Sequence, residues 1–115
     1  MGDRDCIFCK IAAGEIPSEK LYDDGDVFAV RDINPAAPVH VLIIPYQHIE
    51  ALRDAGDAEI GVASRCVAAA VAVARQEGIG PGGYRLVVNQ GPEAGQEVLH
   101  FHMHLLAGRQ LGPLG

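Results

Sequence analysis

The sequence predicts an α+β fold in which helix packs on one face of an antiparallel sheet. Three observations predict it. Short apolar runs recur at Leu21-Tyr22, Val27 to Arg31, Val39 to Pro45 and Tyr84 to Asn89, and a final run alternates from Leu99 to Leu106. Only Asp57 to Glu77 has the length and composition of a long helix. The strands come in runs with few helices between them, which points away from a parallel α/β sheet.

Each element has a local reason. Ile7 to Ala13 is apolar and stops at Gly14, as a short helix would. Pro17 and Ser18 mark a turn. Leu21-Tyr22 and Val27 to Arg31 flank Asp23-Asp24-Gly25-Asp26, a turn of the hairpin type. Asn34-Pro35-Ala36-Ala37-Pro38 suits neither helix nor strand and is a loop. Val39 to Pro45 contains the unbroken run Val41-Leu42-Ile43-Ile44, expected of a central strand covered on both faces. In the long helix Asp57 is the expected N-cap. Ile60, Ala63, Val67, Ala70, Val71 and Ala74 form the expected buried stripe, with Cys66 on the same side. Gly78 and Gly80 end that helix. Tyr84 to Asn89 is a strand leaving through Asn89-Gln90-Gly91-Pro92. Gly95-Gln96-Glu97 is a polar lead-in to the last strand, and Gly108 to Gly115 is an irregular tail.

A chain of 115 residues is the size of one domain, read here as residues 1–115 with a flexible N-terminal tail over residues 1–5. Hydrophobic residues make up 49%, enough for a real core, but aromatics are 5% and tryptophan is absent, so aliphatic side chains must fill it. The formal net charge of −6 argues against partners such as nucleic acid or an anionic membrane, which need a basic face. A small phosphorylated ligand stays compatible, because a local site can differ from the whole. No stretch has transmembrane length and the N-terminus lacks an apolar signal core, so the expected location is cytoplasmic. Three cysteines are an odd count that fits reduced thiols or metal better than disulfides.

The chemistry concentrates in Leu99-His100-Phe101-His102-Met103-His104-Leu105-Leu106, where three of the five histidines alternate. In a strand all three imidazoles would share one face, with Phe101, Met103 and Leu105 on the other. Such a row offers a nucleophile, a general base and donors to an anion. A solvated face or a metal cluster would also use it, but each ring must then be solvated or hydrogen-bonded. Cys6-Ile7-Phe8-Cys9 supplies two of the four ligands of a zinc site. The rest would have to be histidines, with His40 and His48 the candidates outside the row. Two reduced, partly buried thiols is the simpler alternative.

The motif His100-Phe101-His102-Met103-His104-Leu105-Leu106 resembles the His-φ-His-φ-His-φ-φ signature of the histidine-triad (HIT) superfamily of nucleotide hydrolases and transferases, φ being apolar. The resemblance covers nearly the whole chain. Cys6 to Ile16, Asp32-Ile33-Asn34-Pro35, Pro38-Val39-His40, Pro45-Tyr46-Gln47-His48-Ile49, Tyr84 to Asn89 and Gly95-Gln96-Glu97-Val98 follow in the family's order. The ending Ala107-Gly108-Arg109-Gln110 looks like the Hint branch of purine nucleoside phosphoramidases rather than the Fhit branch of dinucleoside polyphosphate hydrolases.

The resemblance implies a HIT-like fold: a five-stranded antiparallel sheet, one long helix, a short N-terminal helix and a sheet continued across a homodimer. It implies cleavage of purine nucleoside 5′-phosphoramidates to the monophosphate through a nucleotidyl-histidine. The rival readings are dinucleoside polyphosphate hydrolysis and a purine-nucleotide-binding regulator. His102 would be the nucleophile, and His104 would bind the α-phosphate and assist the leaving group. His40 would stand behind the triad and His100 would complete it. Asp32 would hold the ribose. Ile7, Phe8, Ile11 and Ile33 would form the base slot, and Asn89 with Gln96-Glu97-Val98 would hydrogen-bond phosphate. Glu97 stands where the eukaryotic Hint pattern has Ser. Cys6, Cys9, His48 and His100 resemble the structural zinc site of bacterial relatives. No metal is then needed at the reacting phosphate, where one neutral and one cationic imidazole would share the work.

Overall fold

The computed structural model describes residues 5–115. Of the tail expected to be flexible, residues 1–4 lie outside the described residues. Helix α1 (Ile7–Ala12) precedes strands β1 (Tyr22–Asp23), β2 (Val27–Arg31) and β3 (Val39–Pro45). The long helix α2 (Asp57–Glu77) separates these from β4 (Arg85–Val87) and β5 (Met103–Ala107). Short 3-10 turns at Leu52–Asp54 and Pro92–Ala94 complete the chain. The sheet is antiparallel throughout, in the order β1-β2-β3-β5-β4.

The central place of β3 follows from its composition. Val41 and Ile43 face α2 and pack with Val27, Ala29, Met103 and Leu105 against Val62, Cys66, Ala69, Ala70 and Val73. Leu42 and Ile44 turn the other way, onto Phe8 and Ile11 of α1 and Phe28 and Val30 of β2. The two-residue period of the strand thus builds two cores from one run.

The N-cap of α2 is Gly56 rather than Asp57, because Glu59 reaches back to accept from the Gly56 N–H at 2.6 Å. The buried stripe is Val62, Cys66, Ala69, Ala70, Val73 and Ala74, whereas Ile60 and Val67 are 52% and 43% exposed. Ala and Val occur on every side of this helix, so its apolar periodicity is too weak to fix the buried face. Gly78 ends the helix at φ 70°, a conformation that needs no side chain to be easy.

The histidine-bearing strand also starts later than expected. Only His104 lies in regular β5, and His100 and His102 precede it. Backbone groups there are used otherwise: Phe101 N–H donates to Ile49 O at 2.6 Å, and the His100 carbonyl accepts from a side chain. The alternation survives the loss of the ladder. Phe101 joins Met103 and Leu105 beneath α2 while the imidazoles face the opposite side.

Candidate functional site

His104 on β5 lies opposite Leu42 of β3, and His40 sits two residues before Leu42, so the register puts both rings on the sheet face away from α2. Beside them opens a cavity of about 560 Å³. Its lining gathers His40, His102 and His104 with Asp32, Asn89 and Glu97, and the apolar Ile7, Phe8, Ile11, Ile33 and Val98. The two central strands therefore carry histidines between flanks supplied by the ends of β2 and β4.

Hydrogen bonds fix which nitrogen of each ring holds a proton. The Ala36 N–H donates to His40 Nδ1 at 3.0 Å, so the proton of neutral His40 is on Nε2. That nitrogen lies 2.9 Å from His104 Nδ1, with Asp32 Oδ2 at 3.4 Å. His104 Nδ1 is consequently an acceptor, and its own proton sits on Nε2. The rings meet head-on: their 5.1 Å centroid separation is the nitrogen–nitrogen distance plus two ring radii. The lone pairs of Asp32, His40 and His104 therefore do not converge on a common point, as a metal site would require. His102 is oriented from the other side. Its Nδ1–H donates to the His100 carbonyl at 2.8 Å, which leaves the Nε2 lone pair unprotonated.

Burial holds His40 below the ordinary histidine range, with Asp32 pulling upward. His104 is held down to about 4, by burial first and then by His102 and His40. Neither ring is a standing cation at neutral pH. Charge on His104 would have to come with an incoming phosphate.

His100 does not line this cavity. Its ring is fully buried, and Nε2–H donates to the Pro45 carbonyl at 2.9 Å. Its Nδ1 faces Cys6 Sγ at 3.3 Å, Cys9 Sγ at 3.5 Å and His48 Nδ1 at 3.1 Å, and Cys9 Sγ lies 3.2 Å from His48 Nδ1. A tetrahedral zinc with ordinary bond lengths needs ligand edges of about 3.4 Å between nitrogens and about 3.6 Å between nitrogen and sulfur. The four donors, all within 4.8 Å of one another, fit that cage with slight expansion. The Nε2–H bond to Pro45 makes Nδ1 the available lone pair, the orienting contact a metal-ligating histidine normally has. Burial also raises the Cys6 thiol, and a cation among the four donors would reverse that.

The structure thus divides the triad. His102 and His104 meet the cavity, while His100 belongs to a second cluster and makes no contact with the His40–His104 pair. Gln96 is diverted as well: its side chain accepts from Gly91 N–H and donates to the Glu50 and Val98 carbonyls, stitching loops together. Three groups that fix the tautomers escape sequence reading, namely the Ala36 N–H and the Pro45 and His100 carbonyls. Every residue has such groups, so composition gives no signal for them.

Comparison with known proteins agrees with this architecture. The HIT domain family matches residues 13–111. A purine nucleoside phosphoramidase of Escherichia coli strain K12 is 48% identical, over 94% of this chain and 91% of its own. A 14 kDa zinc-binding protein of Zea mays is 45% identical, over 96% of this chain and 88% of its own. Among solved structures, a histidine triad protein from Clostridium difficile matches with a TM-score of 0.95 at 43% identity, covering 100% of both chains. By sequence, fold and the disposition of its histidines, the chain belongs to the HIT domain family.

Proposed function

We propose that this protein is a nucleotide hydrolase that cleaves purine nucleoside 5′-phosphoramidates at the α-phosphate. The observation that carries the reading is the His102 tautomer: with Nδ1–H donated to the His100 carbonyl, the nucleophilic Nε2 is free beside a cavity of nucleotide size. The similar phosphoramidase supports the same class of substrate.

In the first step the His102 Nε2 lone pair forms a bond to phosphorus as the phosphorus–nitrogen bond breaks. The departing nitrogen keeps that electron pair and takes the Nε2 proton of His104, which is protonated beforehand with the incoming phosphate and is thus left neutral. His40 then stands behind His104 as a positioning residue, holding its Nδ1 by hydrogen bond. In the second step water attacks phosphorus and gives one proton to His104 Nε2, the Nε2–phosphorus bond breaks with its electron pair returning to His102 Nε2, and the nucleoside monophosphate leaves. Asp32 would hold the ribose hydroxyls, and Ile7, Phe8, Ile11 and Ile33 would enclose the base. Asn89 would hydrogen-bond the phosphate.

Cys6, Cys9, His48 and His100 would hold a structural zinc ion, the metal named in the similar maize protein. Closed by four protein ligands, it would supply a cross-link between α1 and the segment entering β5 rather than reaction chemistry. We also propose a homodimer. The exposed Ile60 and Val67 on the outer face of α2 and the edge position of β4 support it.

The decisive experiment is mass spectrometry of protein quenched during turnover of adenosine 5′-phosphoramidate. The expected adduct is an AMP moiety on His102. Turnover with no adduct on rapid quenching, or an adduct on another residue, would overturn the assignment.

A further inference from the structure

The hydrolase reading leaves one charged group of the cavity without a task. Glu97 lines the wall formed with Asn89, Gly95 and Val98. Its side chain is exposed and has no hydrogen-bond or ion-pair partner among the described residues. Asp32 follows β2, whereas Asn89 and Glu97 lie in the connection from β4 to β5. Strands β3 and β5, with His40 and His104, run between those flanks. The two carboxylates therefore stand on opposite sides of the histidine pair.

The cavity holds little to balance them. Among the described residues its one guanidinium, Arg31, is tied to Glu77 at 2.7 Å, and His40 and His104 are neutral. Such a lining suits a ligand with one phosphate and penalises a string of phosphates placed near Glu97. With Asp32 assigned to the ribose on the β2 flank, the β4 flank is left to the group that departs. A carboxylate there favours a leaving group that is positive.

We propose that Glu97 is a specificity-determining residue, selecting leaving amines that carry a second, non-reacting ammonium group over neutral amines and over polyphosphates. The proposal rests on the phosphoramidase reading and names its substrate class. The bond changes are those given above. The second ammonium loses no proton and forms no bond, so its attraction to Glu97 exists before and during reaction and acts mainly on KM.

The test compares two adenosine 5′-phosphoramidates of matched length, one made from ethylenediamine and one from propylamine. The diamine compound should be favoured in kcat/KM roughly three- to tenfold at low salt, the scale of a partly exposed charge pair. The preference should shrink as salt is raised. Glu97→Gln should bring the ratio close to one. A ratio near one in the natural protein, or one that survives in Glu97→Gln, overturns the charge selection alone. Cleavage of neither compound overturns the phosphoramidase reading and this inference with it.

Discussion

The His100 carbonyl accepts the Nδ1–H of His102 at 2.8 Å, while the His100 ring faces Cys6, Cys9 and His48. One residue thus joins the cysteine–histidine cluster to the orientation of the candidate nucleophile, through ring and backbone respectively. Whatever steadies the ring steadies the tautomer two residues on.

Loss of the proposed zinc ion should therefore be felt in two ways. Cys9→Ala is expected to lower bound zinc from near one equivalent to near zero and to reduce Tm by roughly 10 °C or more, since a structural ion contributes directly to folding. The surviving folded fraction should also show a lower kcat, because His102 has lost a fixed acceptor. Metal analysis with thermal unfolding checks the first, and titrated single-turnover kinetics the second. Unchanged Tm in strong chelator would refute the structural role.

His102→Ala should reduce turnover by roughly a thousandfold or more, as removal of a covalent nucleophile does. AMP binding should weaken far less, because Asp32, Asn89 and the apolar slot are untouched. Calorimetry with AMP beside a turnover assay separates the two. Normal turnover would remove His102 from the reaction.

Stability should depend on pH through His104 and His40. Both have folded values below the ordinary one, about 4 for His104, chiefly because they are buried. In the unfolded chain each titrates near 6.5. Between those values the unfolded chain binds more protons, so stability rises with pH. Their contribution is fully present above about pH 6.5 and is lost progressively as pH falls through each folded value, about 4 for His104. Tm should drop between pH 7 and pH 5, and His104→Gln should flatten that slope. An identical slope in the variant would show that other groups govern it.

How much of this was legible in the sequence depends on which physical signal each part leaves. The bounds of β3 and α2 matched the expectation because a β-branched run and a terminal glycine are strong local signals. The buried face of α2 was not legible, since Ala and Val surround it. The start of β5 was not either, because the backbone near His100 bonds to Ile49 and to the His102 ring instead of continuing the ladder. Spacing alone offered Cys6 and Cys9 as half a metal site. Their meeting with His48 and His100 depends on long-range folding that only the family resemblance anticipated.

Gly108 offers a test of how the sheet positions His40. It follows β5 at φ +100°, and a Cβ there would lie 2.8 Å from the Pro38 side chain and 3.4 Å from Val39 N. That contact falls at the entry to β3, two residues before His40. Gly108→Ala meets both a backbone conformation that side chains resist and a near-rigid ring. A loss of roughly 2 kcal/mol is expected. Relief of the overlap would shift Pro38 and Val39, and with them the Ala36–His40–His104 chain, so kcat should fall in the folded variant. Gly112→Ala is the control, because a Cβ there meets nothing within 4 Å. Urea unfolding of the two variants decides the matter. Equal stability would mean that β5 can leave the sheet without the close approach to Pro38.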